Sequence, residues 1–161
     1  TMWVESTPGD GSTFFFTIAA AAAPPQARIW QRSAQPTLAG RRILIVDDNE
    51  TNRRVLTLQA QNWGMRARST AHGAEALEHV ERQLPALILL DMRMPLLDGW
   101  GFVRALRERR LDLKILVMSA ASDARIWAHE VEAQGVLHKP FDLDALLAPV
   151  GRYYGPPQAA A

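Results

Sequence analysis

Polar side chains that can bind a metal ion or a phosphoryl group end several short apolar runs of this sequence. The first run ends at Asp47 and Asp48, and the third ends at Asp91. The fourth run ends at Ser119 and the fifth at Lys139. An aspartate that ends a single strand is usually a turn residue or a helix cap. Because the carboxyl ends of parallel strands meet at one sheet edge, the joint placement predicts one shared site.

Three carboxylates at one edge need a cation. Two unit charges about 4 Å apart cost about 1 kcal/mol in water and about 4 kcal/mol at an effective dielectric constant of about 20. Oxygen ligands without cysteine or a nearby histidine favour a hard divalent ion, and Mg²⁺ fits best. A metal beside a hydroxyl and an ammonium suits phosphoryl transfer, with Asp91 as the expected nucleophile.

Apolar runs and helical patterns alternate from Arg41 to Tyr154. Strands are predicted at residues 43–46, 65–70, 86–90, 115–118 and 136–137. Five strands that alternate with five helices predict an α/β fold, a parallel sheet with helices on both faces. Arg66 and Arg68 alternate with less polar residues, which is typical of an edge strand, whereas 86–90 is apolar throughout, as in a central strand.

Helical spacing of apolar residues predicts the helices between these strands. The first helix is predicted from the spacing of Val55, Leu58 and Trp63, and the second from the spacing of Leu77, Val80 and Leu84. Gly64 is predicted to end the first helix, and a proline ends the second. The third is expected near 100–110, and a fourth is expected from an N-cap at Ser122 to Gln134. Asp142 is predicted to cap the last helix.

Composition excludes several classes of function. The chain has 161 residues and no cysteine, so it has no disulfide, cysteine-bound zinc site or thiol nucleophile. Eighteen Lys and Arg against 17 Asp and Glu leave no basic excess, so no nucleic-acid partner is expected. The longest apolar run, 14–23, is too short to cross a bilayer, and its acidic, glycine-containing flank does not suit a secretory signal. We expect a cytoplasmic protein without membrane contact.

Four segments, taken in their order along the chain, resemble the motifs of one protein family. Val46-Asp47-Asp48-Asn49, the stretch from Asp91 to Gly99 with Pro95 and Asp98, Ser119-Ala120, and Lys139-Pro140-Phe141 resemble the receiver domains of two-component response regulators. The resemblance covers 41–154. It implies a flavodoxin-like, doubly wound sheet of five parallel strands in the order 2-1-3-4-5.

The resemblance also implies a metal site. In this family Mg²⁺ is bound directly by residues that match Asp48 and Asp91 and by the main-chain carbonyl that matches Arg93. Asp47 is implied to act through water. Mg²⁺ is therefore the expected cofactor.

The same resemblance assigns the phosphoryl chemistry. Asp91 matches the residue that accepts the phosphoryl group from a phosphohistidine, Ser119 matches the switch hydroxyl, and Lys139 matches the ammonium that pairs with the phosphoryl group. The Lys139–Pro140 peptide bond is implied to be cis. The implied partner is the dimerisation and phosphotransfer domain of a histidine kinase or a separate histidine-phosphotransfer protein, and a homodimer is a further expectation.

A second resemblance lies at the start of the chain. Residues 5–16, Glu-Ser-Thr-Pro-Gly-Asp-Gly-Ser-Thr-Phe-Phe-Phe, are similar to the closing segment of a histidine-kinase ATPase domain. The implied organisation is an ATPase remnant at 1–18, an Ala/Pro-rich linker at 19–40, a receiver domain at 41–154 and a flexible tail at 155–161. The parent protein is then a bacterial hybrid sensor histidine kinase, which can be membrane-anchored.

Two departures leave alternatives open. Val136 stands where many receivers carry Tyr or Phe, and the stretch from Gly135 to Lys139 is shorter than usual, which favours a phosphorylation-independent interaction module, a pseudo-receiver. An aspartyl-nucleophile phosphatase would carry a second Asp where this chain has Arg93. As an enzyme the chain is expected to catalyse only its own phosphorylation and dephosphorylation, so its classification as an enzyme stays open.

Overall fold

The computed structural model describes residues 1–20, 35–120, 122–141 and 143–154. The predicted cap Asp142, most of the predicted linker and the predicted tail at 155–161 lie outside the described residues.

Five parallel strands form the central sheet. They are β3 (Arg42–Val46), β4 (Arg66–Thr70), β5 (Leu87–Asp91), β6 (Ile115–Ser119) and β7 (Gly135–His138). Their spatial order is β4-β3-β5-β6-β7, and every neighbouring pair is parallel. In the numbering of the predicted strands this order is 2-1-3-4-5, so the predicted fold is confirmed, with β4 at one edge.

Helices connect the strands and cover both faces of the sheet. They are α1 (Glu50–Asn62), α2 (Gly73–Arg82), α3 (Gly99–Glu108), α4 (Ala124–Glu130) and α5 (Leu143–Tyr154). One core cluster joins the sheet to α2, α3 and α4 through residues such as Val80, Phe102 and Ala128. The other joins it to α1 and α5 through residues such as Trp63 and Val150.

Strand β5 is buried along its whole length, as the apolar run predicts. Leu87 and Leu89 face the cluster of α1 and α5, whereas Ile88 and Leu90 face the cluster of α2, α3 and α4. A parallel strand that is covered on both faces needs apolar residues at every position. Burial thus fixes the strand that ends at Asp91 in the middle of the sheet.

The core face of α1 differs from the prediction. Val55 is 48% exposed and Leu58 is 52% exposed, whereas Leu56, Ala60 and Trp63 are buried. The prediction is thus confirmed for Trp63 and wrong for Val55 and Leu58, because the sheet buries the stripe of α1 that carries Leu56 and Ala60. Gly64, with φ of 82°, ends the helix as predicted.

Two helix ends also differ from the prediction. Helix α2 ends at Arg82, so Leu84 lies beyond it and is 48% exposed. The N-cap position of α4 is Asp123 instead of Ser122, whose hydroxyl bonds to the Asp123 carboxylate. Helix α4 also ends at Glu130, well before residue 134, since the chain turns into left-handed backbone at Glu132, where φ is 51°.

A separate antiparallel pair precedes the parallel sheet. Strands β1 (Met2–Thr7) and β2 (Gly11–Phe16) pair so that Trp3 lies opposite Phe15, and the two rings stack with centroids 5.1 Å apart. Most apolar side chains of this hairpin are exposed, Phe16 by 70%.

Within the described part of the chain, none of the helices combines the length and the apolar character that a bilayer crossing requires.

Gly99 allows α3 to begin against the end of β5. A Cβ at this position would lie 2.6 Å from the Met92 Sδ and 2.9 Å from the Met92 Cα, which is closer than atoms pack. We expect Gly99→Ala to lower the free energy of unfolding by about 1–3 kcal/mol, measured by urea denaturation. Gly151→Ala is the matched control, because a Cβ there meets nothing within 4 Å. It should leave the stability unchanged or raise it, and equal losses in both variants would contradict the steric explanation.

Candidate functional site

The predicted site residues meet at the carboxyl edge of the parallel sheet. Asp47 follows the last residue of β3, and Asp91 is the last residue of β5, its neighbour in the sheet. Ser119 ends β6, which lies on the other side of β5. Lys139 follows β7, and its main-chain N–H donates to the Ser119 carbonyl at 2.8 Å. The topology therefore brings four distant parts of the chain to one edge.

The Lys139 side chain bridges two of the carboxylates. Its Nζ donates to Asp47 Oδ2 at 2.7 Å and to Asp91 Oδ2 at 2.6 Å. The Asp47 side chain is fully buried, and the side chains of Asp91 and Lys139 are 12% and 19% exposed. Charge-assisted bonds of this length in a site with little solvent hold the two aspartates together.

The two aspartates also determine the protonation of Lys139. Burial lowers the pKa of this ammonium, but hydrogen bonds and charge attraction from Asp47 and Asp91 raise it, and the net pKa is raised above its ordinary value. Lys139 is therefore a fixed positive charge at neutral pH. A fixed charge can hold an anionic phosphoryl oxygen without giving up a proton.

Three carboxylates form an oxygen donor set beside this ammonium. Asp47, Asp48 and Asp91 each offer an oxygen, and these atoms lie within 4.8 Å of one another. Carboxylate oxygens in such a group, with no cysteine in the chain, suit a hard divalent cation. The donor chemistry therefore fits Mg²⁺, which keeps several waters and uses few protein ligands.

Asp47 is already surrounded by donors. Its Oδ1 accepts from the main-chain N–H of Asn49 at 2.9 Å, and its Oδ2 accepts from Lys139. The side-chain amide of Asn52 lies 3.2 Å from Oδ2 and 3.4 Å from Oδ1. Both carboxylate oxygens of Asp47 therefore already accept hydrogen bonds. Asp48 lies next to it and is exposed.

Asp91 is held in place by the loop that follows it. Its Oδ1 accepts from the main-chain N–H of Arg93 at 3.0 Å, while Oδ2 contacts Lys139. The loop then ends at Asp98, whose carboxylate accepts from the Gly101 N–H at 2.8 Å and caps α3. Both Asp91 oxygens thus have fixed directions at the sheet edge.

Ser119 lies at the predicted strand end, and the peptide bond after Lys139 has the expected isomer. Ser119 is 3% exposed at the end of β6. The Lys139–Pro140 peptide bond is cis.

Asn52 and Arg53 support the acidic loop, a role that the sequence analysis did not assign. Besides the Asn52 contact with Asp47, the Arg53 guanidinium donates to the main-chain carbonyls of Asp47 at 2.9 Å and Asp48 at 2.8 Å. Asn49 caps α1 by accepting from the Asn52 N–H at 3.0 Å. The sequence signal for this role was the helix cap at Asn49. Side chains in the first turn after a cap, such as Asn52 and Arg53, can reach back to the loop before the helix.

An aromatic cluster links the site loop to two helices. The rings of Trp100 in α3 and Trp127 in α4 meet edge to face, 5.1 Å apart. The Trp100 indole N–H donates to Glu130 at 2.8 Å, and the Arg93 guanidinium lies 5.2 Å from the centre of the Trp127 ring. Arg93 therefore contacts Asp91 through its main chain and α4 through its side chain.

The Lys139 bridge leads to a stability prediction. Lys139→Met should lower the free energy of unfolding at neutral pH by about 3 kcal/mol, since it leaves two confined carboxylates without their shared cation. Because the folded-state pKa of Lys139 lies above the ordinary value of 10.5, the stabilisation is complete below that value and is lost as the pH rises through the folded-state pKa. Urea denaturation of both proteins across this pH range measures the difference.

Lys114→Met is the matched control for this prediction. The Lys114 ammonium is exposed and donates to the Tyr153 carbonyl at 2.8 Å, so its loss should cost about 1 kcal/mol. A Lys139→Met variant as stable as the wild type at neutral pH would show that the bridge does not stabilise the fold.

Comparison with known proteins places this arrangement in a family. The model of the response regulator receiver domain matches residues 43–150. The transcriptional regulator NtrC of Escherichia coli K12 is 34% identical over 112 residues, which are 68% of this chain and 24% of NtrC. Sensor protein EvgS of the same organism is 33% identical over 147 residues, 89% of this chain and 12% of EvgS. The chain thus spans a quarter or less of the length of these relatives.

A solved structure shows the same fold. The response regulator TrrA of Thermotoga maritima, solved in complex with Mg²⁺ and BeF, aligns with a TM-score of 0.64 and 29% identity. The alignment covers 70% of this chain and 98% of TrrA. Since the family model matches most of the chain and the strand order and acidic edge agree with it, this chain belongs to the response regulator receiver domain family of two-component systems.

Proposed function

We propose that the chain accepts a phosphoryl group on Asp91 from a phosphohistidine in a Mg²⁺-dependent reaction. The Lys139 ammonium, held between Asp47 and Asp91 at the sheet edge, carries this proposal. It leaves Asp91 as a partly exposed carboxylate beside a fixed positive charge. A phosphoryl group bound there would replace a carboxylate–ammonium contact with a phosphoryl–ammonium contact.

The transfer step needs no oxidant and no further reactant. The bond between the histidine nitrogen and phosphorus breaks, and a bond between an Asp91 carboxylate oxygen and phosphorus forms. The electron pair of the broken bond stays on the imidazole nitrogen of the donor. Lys139 neutralises charge on the moving phosphoryl oxygens, and Ser119, at the end of the adjacent strand, donates a hydrogen bond to one of them.

Asp48, Asp91 and the Arg93 main-chain carbonyl are the proposed ligands of Mg²⁺, with Asp47 acting through water. The metal would supply positive charge to the phosphoryl oxygens. The clustered carboxylate oxygens and the occupied lone pairs of Asp47 support this division of roles. Asn52 and Arg53 hold the loop that presents Asp48.

The parent protein is proposed to be a hybrid sensor histidine kinase. The match with EvgS covers 89% of the chain, more than the receiver region alone, so it includes part of the segment before Arg42. That segment contains the β1–β2 hairpin, proposed as the end of a kinase ATPase domain at 1–18, followed by a linker at 19–40 and the receiver at 41–154. The proposed partner is a phosphohistidine-bearing kinase or phosphotransfer domain in the cytoplasm.

A phosphorylation-independent interaction module is the second candidate. Val136 packs against the core where many receivers carry an aromatic switch residue. A module without the switch would keep the fold and the acidic site but would not change shape on phosphorylation. The Arg93–Trp127 contact is a physical connection between the site loop and α4. A phosphoacceptor that switches through it should change the surroundings of Trp127 on phosphorylation, whereas a phosphorylation-independent module should not.

Asp91→Asn tests the phosphoacceptor. Incubation of the wild type with acetyl phosphate and Mg²⁺ should add one phosphoryl group, detected by intact mass, and Asp91→Asn should abolish the addition because the amide oxygen is a poor nucleophile. Asp112→Asn is the control, since Asp112 is exposed in the loop before β6 and should be phosphorylated like the wild type. Undiminished labelling of the Asp91→Asn variant would refute the assignment.

Tryptophan fluorescence tests whether phosphorylation reaches α4. Beryllofluoride with Mg²⁺ should change the emission of the wild type, because rearrangement of the Arg93 main chain moves its guanidinium relative to the Trp127 ring. Trp127→Phe should lose most of this change, whereas Trp3→Phe, in the separate hairpin, should retain it. An unchanged wild-type spectrum would instead favour the phosphorylation-independent module.

A further inference from the structure

A basic groove lies at the end of the sheet opposite to Asp91. It has a volume of about 540 Å³ and lies between the first residues of β3 and β4 and the last turn of α2. The charged and titratable residues that line it are Arg42, Arg66, Arg68, His79 and Arg82. Four of them are arginines and one is a histidine, and none of this lining set is acidic.

The sheet register forces the arginines together. Arg42 lies opposite Arg66 in the β3–β4 pairing, so both side chains leave the same face of the sheet. Arg68 leaves that face too, about 6.6 Å along the strand. This is the face that carries Leu44 and packs against α2. Like charges directly opposite each other in a sheet are destabilising, so a bound anion would stabilise this arrangement.

Among the described residues, the three acidic side chains of α2 leave most of the positive charge of the groove in place. Arg82 pairs with Glu78 at 3.5 Å, but the two side chains are 75% and 65% exposed, so the pair contributes little. Glu75 lies 3.8 Å from His79. Glu81, the third acidic residue of α2, is bound by Arg109 on α3. The whole chain has a net charge of only +1, so the positive charge here is a local concentration.

The Arg42 side chain is anchored to the end of α2. The Arg42 Nε donates to the Leu84 carbonyl at 2.9 Å, which fixes the guanidinium against the end of α2. An oriented guanidinium loses less conformational entropy when it binds an anion. Protection of an exposed strand edge explains charges on β4 alone. It does not explain Arg42, which belongs to the interior strand β3, or Arg82, which belongs to a helix.

We propose that this groove binds a small anion that carries two or more phosphoryl groups, either a soluble polyphosphate or a phosphorylated lipid headgroup. Guanidinium groups recognise phosphate oxygens through paired N–H donors, and several of them around one groove match several linked phosphates. The volume lies within the range of about 300–1,000 Å³ that small-molecule sites occupy. Arg66 and Arg68 supply charge from the edge strand, Arg42 supplies it from the neighbouring strand β3, and Arg82 supplies it from α2.

Calorimetry with inorganic tripolyphosphate, in buffer free of divalent cations, tests the proposal. Omitting divalent cations keeps the probe from bridging to the acidic edge at Asp91. The double variant Arg66→Gln/Arg68→Gln should raise the dissociation constant about tenfold or more, because it removes two guanidinium groups that can each bind a phosphate through paired N–H donors. Both side chains are exposed, so the variant should fold. The control Arg104→Gln/Arg125→Gln removes the same charge elsewhere and should change it less than about twofold.

Two further measurements distinguish a soluble ligand from a lipid headgroup and distinguish binding at the groove from binding at the acidic edge. Vesicles that contain a bisphosphorylated inositol lipid would bind more tightly than tripolyphosphate if the natural ligand is a headgroup, and no more tightly if it is a soluble polyphosphate. Asp91→Asn should bind tripolyphosphate like the wild type, so failure of the phosphoacceptor proposal leaves this one standing. Absence of wild-type binding, equal binding by the Arg66/Arg68 double variant, or loss of binding in Asp91→Asn would overturn the proposal.

Discussion

A single ammonium group between two carboxylates is the interaction on which the site depends. Lys139 contacts Asp47 and Asp91 at 2.7 and 2.6 Å, in a place where solvent cannot screen the repulsion of the two aspartates. Without this cation the two carboxylates would repel each other at close range. The bridge therefore holds Asp91 in one orientation before any donor arrives, and it connects β3 to the end of β7.

The parallel sheet makes this interaction possible. Asp47 and Lys139 are 92 positions apart in the sequence, yet each follows the carboxyl end of a strand in the same sheet. The buried apolar strands determine the direction of the chain and where each strand ends, and the polar residues lie at these ends and in the loops that follow. The core thus fixes the distances in the site, and the loops fix its chemistry.

The meeting of the acidic residues with Lys139 was predictable from the sequence, because the apolar runs end in polar residues and the carboxyl ends of parallel strands share one sheet edge. The strand order was predictable only through the resemblance to receiver domains. Helix faces were less predictable. Val55 and Leu58 follow the helical period, but the sheet buries the neighbouring stripe of Leu56 and Ala60. The end of α4 and the contacts of Asn52 and Arg53 depend on backbone turns that no residue pattern specifies.

The arginines of β4 have a consequence for how copies of this domain meet. An open strand edge exposes unpaired N–H and C=O groups, onto which the edge of another molecule could add. Two such edges that approached each other would bring Arg66 and Arg68 of both copies close together. The resulting repulsion disfavours edge-to-edge growth into extended sheets and helps to keep the domain from aggregating at high concentration.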